Sequence, residues 1–453
     1  MTNDVKIDLE PTSEVGFLDF IGYSMEGGEA VTATGLLNAY VPVFVVAFLV
    51  TVLITPLIRA IAVQGGVVDN PDEDRKLHKF PIAYLGGLAV LAGICAGLVY
   101  SYLIVPNVPP GYSMVPIGII LGMFAICFTG FMDDVWHWDP RLKIAGQLVA
   151  AAGLTLSGIG VNVAKGMLLP ILGPPDTVLF QFAGMVIESG GVYYWIGTIL
   201  TAVFVIGGCN ATNLIDGLDG LLSGTAAIMA IGFLVISLII AVGIGSDDEP
   251  EGVYHGARII LSFALLGAVL GFLPYNFNPA VIFLGDCGSL LIGYMCVVII
   301  LLLGEMGETH LVVAGLIVFT LPIMDTLLAI IRRKLSGLPM SAPDSGHIHH
   351  MVLRGLGSVK KTVFALYGLS VVFLLLGVSL ALLYTFNVVQ GRVVYGVFLV
   401  LFSFISAVAI KAARRGQWER KQNTSETPYQ AVTESPVDPT ASDDDSDTGT
   451  APA

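Results

Sequence analysis

Eleven long apolar stretches restrict what this chain can fold into. Each runs for about 17–25 residues with almost no charged side chain, enough for a helix to cross a hydrocarbon layer about 30 Å thick. Only 12% of the residues are charged, about half of the roughly 25% usual in soluble domains. The pattern excludes a soluble enzyme, a nucleic-acid-binding protein and a secreted disulfide scaffold. It predicts an all-α, polytopic integral membrane protein that contacts the lipid bilayer.

The loop charges predict how these spans are oriented. The predicted spans cover residues 37–61, 83–105, 115–132, 143–159, 192–213, 221–243, 256–274, 289–304, 311–331, 362–386 and 393–411. Seventeen Lys and Arg residues fall on one side of this arrangement and four on the other. Because Lys and Arg accumulate on the cytoplasmic side, we predict an external N-terminus and a cytoplasmic C-terminus in the cell membrane. The Gly- and Pro-rich loop 160–191 predicts a small hairpin or a re-entrant segment.

Nearly all of the net charge of −14 comes from the two ends of the chain. Residues 1–36 contain seven acids and one Lys, and residues 422–453 contain seven acids and no base. We therefore predict an acidic extracytoplasmic tail over 1–36, a transmembrane domain over 37–421 and an acidic cytoplasmic tail over 422–453. The last segment is rich in Ser, Thr, Pro and Asp, a composition that predicts disorder.

Five aspartates lie near the predicted cytoplasmic ends of different spans. They are Asp133, Asp134, Asp216, Asp219 and Asp286. Adjacent carboxylates cannot both stay ionised in a dry pocket without a counter-charge, and carboxylate oxygens suit Mg²⁺ or Mn²⁺. Acids at a lipid boundary can also be merely solvated, but five on one side favour a magnesium site.

Basic and imidazole side chains occur in the same predicted loops. They are Arg75, Lys76, Lys143, His347, His349 and His350. A magnesium ion in proteins is commonly held by few carboxylates together with substrate phosphates, and these cations fit a phosphate-bearing substrate. The three histidines also leave a transition-metal site open, although the chain has no paired cysteines to complete one.

Five motifs, in a fixed order, resemble one family of membrane enzymes. They are DNPDEDRKLHKFP (69–81), GFMDDVWHWDPRLKIAGQ (130–147), NATNLIDGLDGL (210–221), YNFNPAVIFLGDCGS (275–289) and PDSGHIHH (343–350). Together they resemble the polyprenyl-phosphate N-acetylhexosamine-1-phosphate transferases over about residues 40–360. The resemblance implies transfer of a sugar-1-phosphate from a UDP-sugar to polyprenyl phosphate, with release of UMP. This reaction starts the synthesis of cell-envelope glycans.

The resemblance also implies a role for each motif residue. Asp286 and Asp216 correspond to metal-binding positions, and Asp133 and Asp134 to positions in catalysis, metal binding or lipid-phosphate binding. The expected contacts with the donor or the lipid substrate come from Arg75, Lys76, His78, Asn213, Asp219 and Asn276. His347, His349 and His350 are expected to cover the donor diphosphate or sugar, and Lys143 to offset charge beside the Asp pair. The implied cofactor is Mg²⁺, with Mn²⁺ as an alternative.

Several alternatives stay open at this point. The histidine loop, DSGHIHHMVLRGLG, is closer to GlcNAc-1-phosphate transferases than to the phospho-MurNAc-pentapeptide branch of peptidoglycan synthesis. An intramembrane prenyltransferase and a secondary transporter are the alternatives outside the family. For the mechanism we favour direct in-line attack by the lipid phosphate over a phospho-aspartate at Asp133 or Asp134. A homodimer is compatible with the sequence, which leaves the oligomeric state open.

One position departs from the family pattern. The residue after Asp286 is usually Thr, Ser or Ala in similar proteins, and here it is Cys287. A thiol in an aqueous, cation-rich cleft has a lowered pKa and reacts with alkylating agents. The sequence therefore predicts that maleimide modifies Cys287 and that bound substrate protects it.

Overall fold

The computed structural model describes residues 33–69, 81–104, 115–182, 185–243, 255–305, 307–335, 337 and 346–425. Across these ranges the chain is mostly helical, which confirms the predicted fold class. The helices are α1 (Ala33–Gln64), α2 (Gly86–Ile104), α3 (Ile117–Trp136), α4 (Pro140–Leu156), α5 (Val161–Leu172), α6 (Ser189–Ile215), α7 (Leu221–Gly243), α8 (His255–Asn276), α9 (Gly285–Leu303), α10 (Thr309–Val318), α11 (Thr320–Leu335), α12 (Ile348–Leu356), α13 (Val359–Thr385) and α14 (Gly391–Ser425).

Two short pairs of antiparallel strands accompany the helices within the described ranges. In the first, β1 (Val68–Asp69) pairs with β2 (Ile82–Ala83), and in the second, β3 (Val178–Phe182) pairs with β4 (Met185–Glu188). The second strand pair and α5 occupy the loop 160–191, for which a small hairpin or a re-entrant segment is predicted.

Nine of the described helices are long and apolar enough to cross a membrane, and the number rises to eleven if each of two bent pairs counts as one span. The predicted spans 143–159 and 311–331 are the ones that bend. Helices α4 and α5 meet at 67°, and α10 and α11 meet at 77°. The first bend follows Leu156, where Gly158 and Gly160 take positive φ angles that only glycine adopts readily. The eleven predicted spans agree with this upper number, and the bends show that two of the regions are broken helices.

Helix α9 forms the centre of the bundle. Every residue from Cys287 to Leu303 is buried, and α9 packs against α2, α3, α6, α8 and α10. A helix that is apolar on all sides is expected in the interior of a bundle or membrane protein. The first residues of α9 therefore define one end of the bundle, and any group placed there can be approached from several helices at once.

Glycine allows the helices around α9 to come unusually close. A Cβ atom added to Gly130 of α3 would lie 2.5 Å from the Cα atom of Cys287, and one added to Gly87 of α2 would lie 2.1 Å from the backbone nitrogen of Gly288. Small residues at such crossings let backbones approach in membrane bundles. The start of α9 is thus held directly against α2 and α3.

The outer helices carry apolar side chains on their exposed faces. Leu53 and Leu57 of α1 are exposed, as are Val400 and Phe404 of α14. Exposed apolar side chains on long helices fit a lipid surround. The tails predicted for 1–36 and 422–453 lie mostly outside the described residues, since α1 begins at Ala33 and α14 extends to Ser425.

Candidate active site

Asp286 stands at the N-terminal end of the central helix α9. Gly285, which precedes it, has a φ angle of +69°, and a Cβ atom there would lie 2.6 Å from a carboxylate oxygen of Asp134. The two oxygens of Asp134 accept hydrogen bonds from the backbone N–H groups of Asp286, at 2.7 Å, and Cys287, at 3.0 Å. A carboxylate at a helix N-terminus satisfies amides that have no partner inside the helix. Asp134 therefore joins the end of α3 to the start of α9.

Lys143 joins a second pair of carboxylates. Its Nζ atom lies 2.6 Å from Asp133 Oδ2 and also contacts Asp286 Oδ2. The first turn of α4 directs Lys143 there: Pro140 opens the helix, and the side chain of Asp139 accepts a hydrogen bond from the N–H of Arg141. The structure therefore brings together three predicted residues from α3, α4 and α9.

The C-terminal end of α6 supplies the next side chains. Asn213 donates from Nδ2 to Asp286 Oδ1, at 2.8 Å, and to Ser289 Oγ, at 2.9 Å. Asp216 follows the last residue of α6 and is half-buried. Burial, together with the charges of Asp286, Asp134 and Asp219, raises the pKa of Asp216 to about 8. Excess negative charge thus collects at this end of the bundle.

Asp219 contacts the loop that leads into α9. Its Oδ2 atom accepts hydrogen bonds from Asn278 Nδ2, at 2.8 Å, and from the N–H of Ala280, at 3.1 Å. Asp219 thus orders the turn in front of Asp286. It also lines the cavity described below, and its substrate-binding role stays a prediction.

Asn276 uses its side-chain amide within the protein. Its Oδ1 atom accepts hydrogen bonds from the N–H of Gly220, at 3.2 Å, and from Ser223 Oγ, at 2.8 Å. Its Nδ2 atom donates to the carbonyl of Ile282, at 3.1 Å. These three bonds hold the loop after α8 on the start of α7. In this structure Asn276 positions the loop, and direct contact with a nucleotide stays a prediction.

The three histidines cluster at the start of the short helix α12. The ring centroids of His347 and His349 are 5.5 Å apart, and those of His349 and His350 are 4.3 Å apart. His350 lines the cavity, whereas His349 is buried against Gly217. Burial and the neighbouring His350 lower the pKa of His349 to about 4. His349 is therefore neutral at pH 7.

Asp325 of α11 is a site residue that sequence reasoning missed. It is fully buried, with its Oδ2 atom 2.8 Å from His347 Nδ1. Its other oxygen accepts the N–H of Ile348, at 2.7 Å. The signal was an acid inside the apolar run 311–331, since such acids face a bundle interior more often than lipid.

A cavity of about 560 Å³ lies at this end of the bundle. Its lining residues include Asn213, Asp216, Asp219, Asp286 and His350. This volume is typical of pockets for small organic ligands. The candidate cationic residues Arg75, Lys76 and His78 lie outside the described residues, but Asp69 and Ile82, which flank that segment in sequence, both line the cavity.

The prediction of a reactive thiol at Cys287 is wrong for this structure. Cys287 is fully buried, and its Sγ atom lies 2.8 Å from Sγ of Cys127, which is buried as well. The helical turn after Asp286 directs the two side chains differently, so that the carboxylate faces the cavity and the thiol faces α3. Cys287 is therefore next to Asp286 in the sequence but does not share its position in the cavity.

The donor set fits a hard divalent cation. Asp133, Asp134, Asp216 and Asp286 bring carboxylates from three helix ends to one region, and the ammonium of Lys143 contacts two of them. The raised pKa of Asp216 reflects its burial first and then the negative charge of its neighbours. Within the described ranges no group of three or more His, Cys, Asp or Glu side chains is already arranged around a metal position. The oxygen donors are nevertheless of the type that Mg²⁺ prefers.

The part of the chain that contains Asp133, Lys143 and Asp286 also matches a known protein family. The sequence profile of glycosyl transferase family 4 matches residues 116–304, from α3 to the end of α9. The chain is 33% identical over 335 residues to a probable undecaprenyl-phosphate N-acetylglucosaminyl 1-phosphate transferase of Bacillus subtilis (strain 168), covering 73% of this chain and 82% of that protein.

Two further relatives have similar names. The chain is 32% identical over 334 residues to a decaprenyl-phosphate N-acetylglucosaminephosphotransferase of Mycolicibacterium smegmatis, covering 68% of this chain and 74% of the relative. It is 30% identical over 322 residues to an undecaprenyl-phosphate alpha-N-acetylglucosaminyl 1-phosphate transferase of Escherichia coli O157:H7, covering 70% of this chain and 77% of the relative. With its carboxylates, Lys143 and histidines gathered at one end of a helical bundle, the chain belongs to glycosyl transferase family 4, the polyprenyl-phosphate N-acetylhexosamine-1-phosphate transferases.

Proposed function

We propose that this protein transfers N-acetylglucosamine-1-phosphate from UDP-N-acetylglucosamine to a polyprenyl phosphate and releases UMP. The observation that carries the proposal is the convergence of Asp133, Lys143 and Asp286 beside a cavity that Asp216 and His350 also line. The names of the relatives support the sugar and the lipid acceptor. They favour this function over phospho-MurNAc-pentapeptide transfer, prenyl transfer and secondary transport.

The reaction is a phosphoryl transfer between two anions. A phosphate monoester has a second pKa of about 6, so the lipid phosphate is mainly a dianion at pH 7. One of its oxygens attacks the sugar-bearing phosphorus of the donor, and the bond from that phosphorus to the bridging oxygen of UMP breaks. No proton has to be removed from the nucleophile. Positioning and charge stabilisation therefore supply most of the catalysis.

Among the residues that the structure describes, Lys143 is the cation best placed to offset this charge. Its ammonium contacts Asp133 and Asp286, so its position is fixed before substrate binds. His349 cannot serve as a cation at pH 7 because its pKa is about 4. We assign charge stabilisation to Lys143 and hydrogen bonding to the histidines, with His350 nearest the cavity.

The proposed cofactor is Mg²⁺, with Mn²⁺ as an alternative. Asp286 and Asp216 would hold it, because both line the cavity and both carry oxygen donors of the type that Mg²⁺ prefers. A bound divalent cation would neutralise the donor diphosphate and stabilise charge on the departing UMP. Asn213 holds the Asp286 carboxylate in its orientation through a hydrogen bond of 2.8 Å.

Direct attack is favoured over a phospho-aspartate intermediate. Both oxygens of Asp134 are engaged by the backbone of α9, and one oxygen of Asp133 is engaged by Lys143. These contacts make Asp134 a poor nucleophile, and the ion pair with Lys143 lowers the nucleophilicity of Asp133. Trapping of a radiolabelled phospho-enzyme with donor alone would reverse this preference.

We further propose that the site faces the cytoplasm of the cell membrane. The loops on the same side of the predicted spans as the site contain most of the Lys and Arg residues, which supports this orientation. A reporter fused after Lys421 should be cytoplasmic, and a cysteine introduced at Ser113 should react with an impermeant maleimide in intact cells. Labelling of that cysteine only after permeabilisation would overturn the orientation.

Purified protein in detergent tests the function directly. Undecaprenyl phosphate is supplied with one of four donors: UDP-N-acetylglucosamine, UDP-N-acetylgalactosamine, UDP-glucose or UDP-MurNAc-pentapeptide. UMP release and the mass of the lipid product are measured with and without Mg²⁺. We expect Mg²⁺-dependent UMP release, strictly dependent on the lipid, with UDP-N-acetylglucosamine as the best donor. Preference for the MurNAc-pentapeptide donor, or UMP release without lipid acceptor, would contradict the proposal.

A further inference from the structure

We propose that Asp325 is a positioning residue for the histidine loop, an assignment that goes with the proposed transferase function. Asp325 lies in α11, fully buried, at a position outside the five sequence motifs. It holds the first turn of α12, which in turn sets the places of His349 and His350. Asp325 thereby acts on the active site without touching substrate.

The two carboxylate oxygens of Asp325 contact two adjacent residues at the start of α12. One carboxylate oxygen lies 2.8 Å from His347 Nδ1, and the other accepts the N–H of Ile348 at 2.7 Å. A buried carboxylate is costly unless its oxygens are paired. Both oxygens are paired here with the same short segment, so the segment cannot shift without leaving the carboxylate unpaired.

Asp325 also provides a helix cap from another helix. The residue in the N-cap position of α12 is His347, whose side chain makes no capping hydrogen bond. The first amides of a helix need partners, and negative charge is favourable at this end. A helix of nine residues is marginal on its own. The Asp325 carboxylate therefore helps α12 to form at this place in the bundle.

Helix α12 contacts the turn that contains Asp216, a predicted metal-binding residue. The His349 ring packs on Gly217, where an added Cβ atom would lie 2.3 Å from His349 Nε2. Gly217 follows Asp216 directly, and His350, on the next residue of α12, lines the cavity. If α12 moved, the turn after Asp216 would lose its contact with His349, and His350 would leave its position in the cavity wall. Misplacement of catalytic groups by about 1 Å can cost a hundredfold in rate.

Hydrogen–deuterium exchange tests the anchor independently of activity. In Asp325→Ala we expect faster exchange in peptides covering residues 346–356, with the rest of the bundle unchanged. In Asp325→Asn, whose amide can still accept from Ile348, exchange should stay close to wild type. Glu305→Ala is the matched control: Glu305 is another buried acid, hydrogen-bonded to the N–H of Gly160 and to Asn162 at the other end of α9. That variant should leave the exchange of residues 346–356 unchanged.

Kinetics provide the second readout. Because Asp325 is predicted to position groups and not to bind substrate, Asp325→Ala should lower kcat by at least about tenfold, while KM for the lipid acceptor stays nearly unchanged. Asp325→Asn should recover most of the lost kcat. A folded Asp325→Ala protein with wild-type exchange over 346–356 and wild-type kcat would overturn the proposal. So would a uniform rise in exchange, since that would mark general destabilisation.

A second variant, His347→Ala, tests the same contact. If Asp325→Ala does not fold, His347→Ala removes one of the two contacts from the opposite side, and the same local rise in exchange is expected. If wild-type protein shows no transfer from UDP-N-acetylglucosamine, the proposed function fails. The exchange data then still decide whether Asp325 anchors α12.

Discussion

The ammonium nitrogen of Lys143 lies 2.6 Å from a carboxylate oxygen of Asp133, and the same nitrogen contacts Asp286. This contact joins the end of α3, the start of α4 and the start of α9. One lysine thus keeps two acids close together that would otherwise repel each other. In the proposed reaction the same positive charge is available to a substrate phosphate.

Replacement of Asp286 or Lys143 should therefore abolish most of the activity. For Asp286→Ala and Lys143→Ala we expect kcat to fall by about a hundredfold or more, as when a preorganised electrostatic group is lost. UMP release from UDP-N-acetylglucosamine with saturating lipid acceptor measures the effect. Lys165→Ala on α5 is the matched control and should retain wild-type kcat. Near-normal turnover in Asp286→Ala would count against the metal assignment.

The two adjacent acids should respond differently to amide substitution. Asp134 accepts two backbone N–H groups of α9, whereas Asp133 contacts a side chain, Lys143. Asn keeps only one acceptor oxygen, so one backbone N–H of α9 would face the amide N–H group. Asp134→Asn should therefore lower both activity and the free energy of unfolding, the latter by about 1 kcal/mol, the cost of one buried unpaired donor. Asp133→Asn should lower activity with a smaller loss of stability. Thermal unfolding of the two variants in the same detergent checks this, and an equal loss in both would contradict it.

Cys287 should resist alkylation in the folded protein. Maleimide reacts with an accessible thiolate, and the Cys287 thiol is buried against Cys127. Labelling first the folded and then the denatured protein with maleimides of different mass, followed by mass spectrometry, measures this. An exposed cysteine introduced by Arg141→Cys on α4 provides the positive control, because Arg141 is exposed. Rapid modification of Cys287 that UDP-N-acetylglucosamine prevents would place the thiol in the cleft after all.

Glu308 should make folding stability depend on pH at the opposite end of the bundle. Its contact with His310, Oε2 to Nε2 at 2.8 Å, holds the pKa of Glu308 below its ordinary value of 4.5, and a hydrogen bond from Tyr384 acts in the same direction. A carboxyl with a lowered folded-state pKa stabilises the fold above its unfolded pKa, and this contribution is lost as pH falls through the folded value.

Glu308→Gln tests this expectation. The difference in Tm between wild type and variant should be largest at pH 6–7 and should shrink as pH falls below about 4.5, the unfolded-state value. Activity at pH 7 should change little, since Glu308 lies away from the cavity residues. A Tm difference that stays constant from pH 7 to pH 4 would contradict the assignment.

Local sequence determined much of this protein. Long apolar runs require helices that cross a membrane, because backbone groups in lipid must satisfy one another within the segment. Acids at the ends of those runs are rare enough to mark a site, and Asp133, Asp216 and Asp286 do come together at one end of the bundle. Five motifs in a fixed order were sufficient to identify the family.

Only the tertiary structure decided which partner each of these side chains contacts. Whether an acid faces solvent, a backbone amide or a lysine depends on which helices cross at that point, and these contacts are distant in sequence. Asp134 therefore caps α9, and Cys287 turns away from the cavity although it follows Asp286. Asp325 lies among apolar residues, where composition marks it only as unusual. Its partner in α12 is brought to it by the packing of α11, α12 and α13, because a buried carboxylate is stable only where the fold supplies its hydrogen-bond donors.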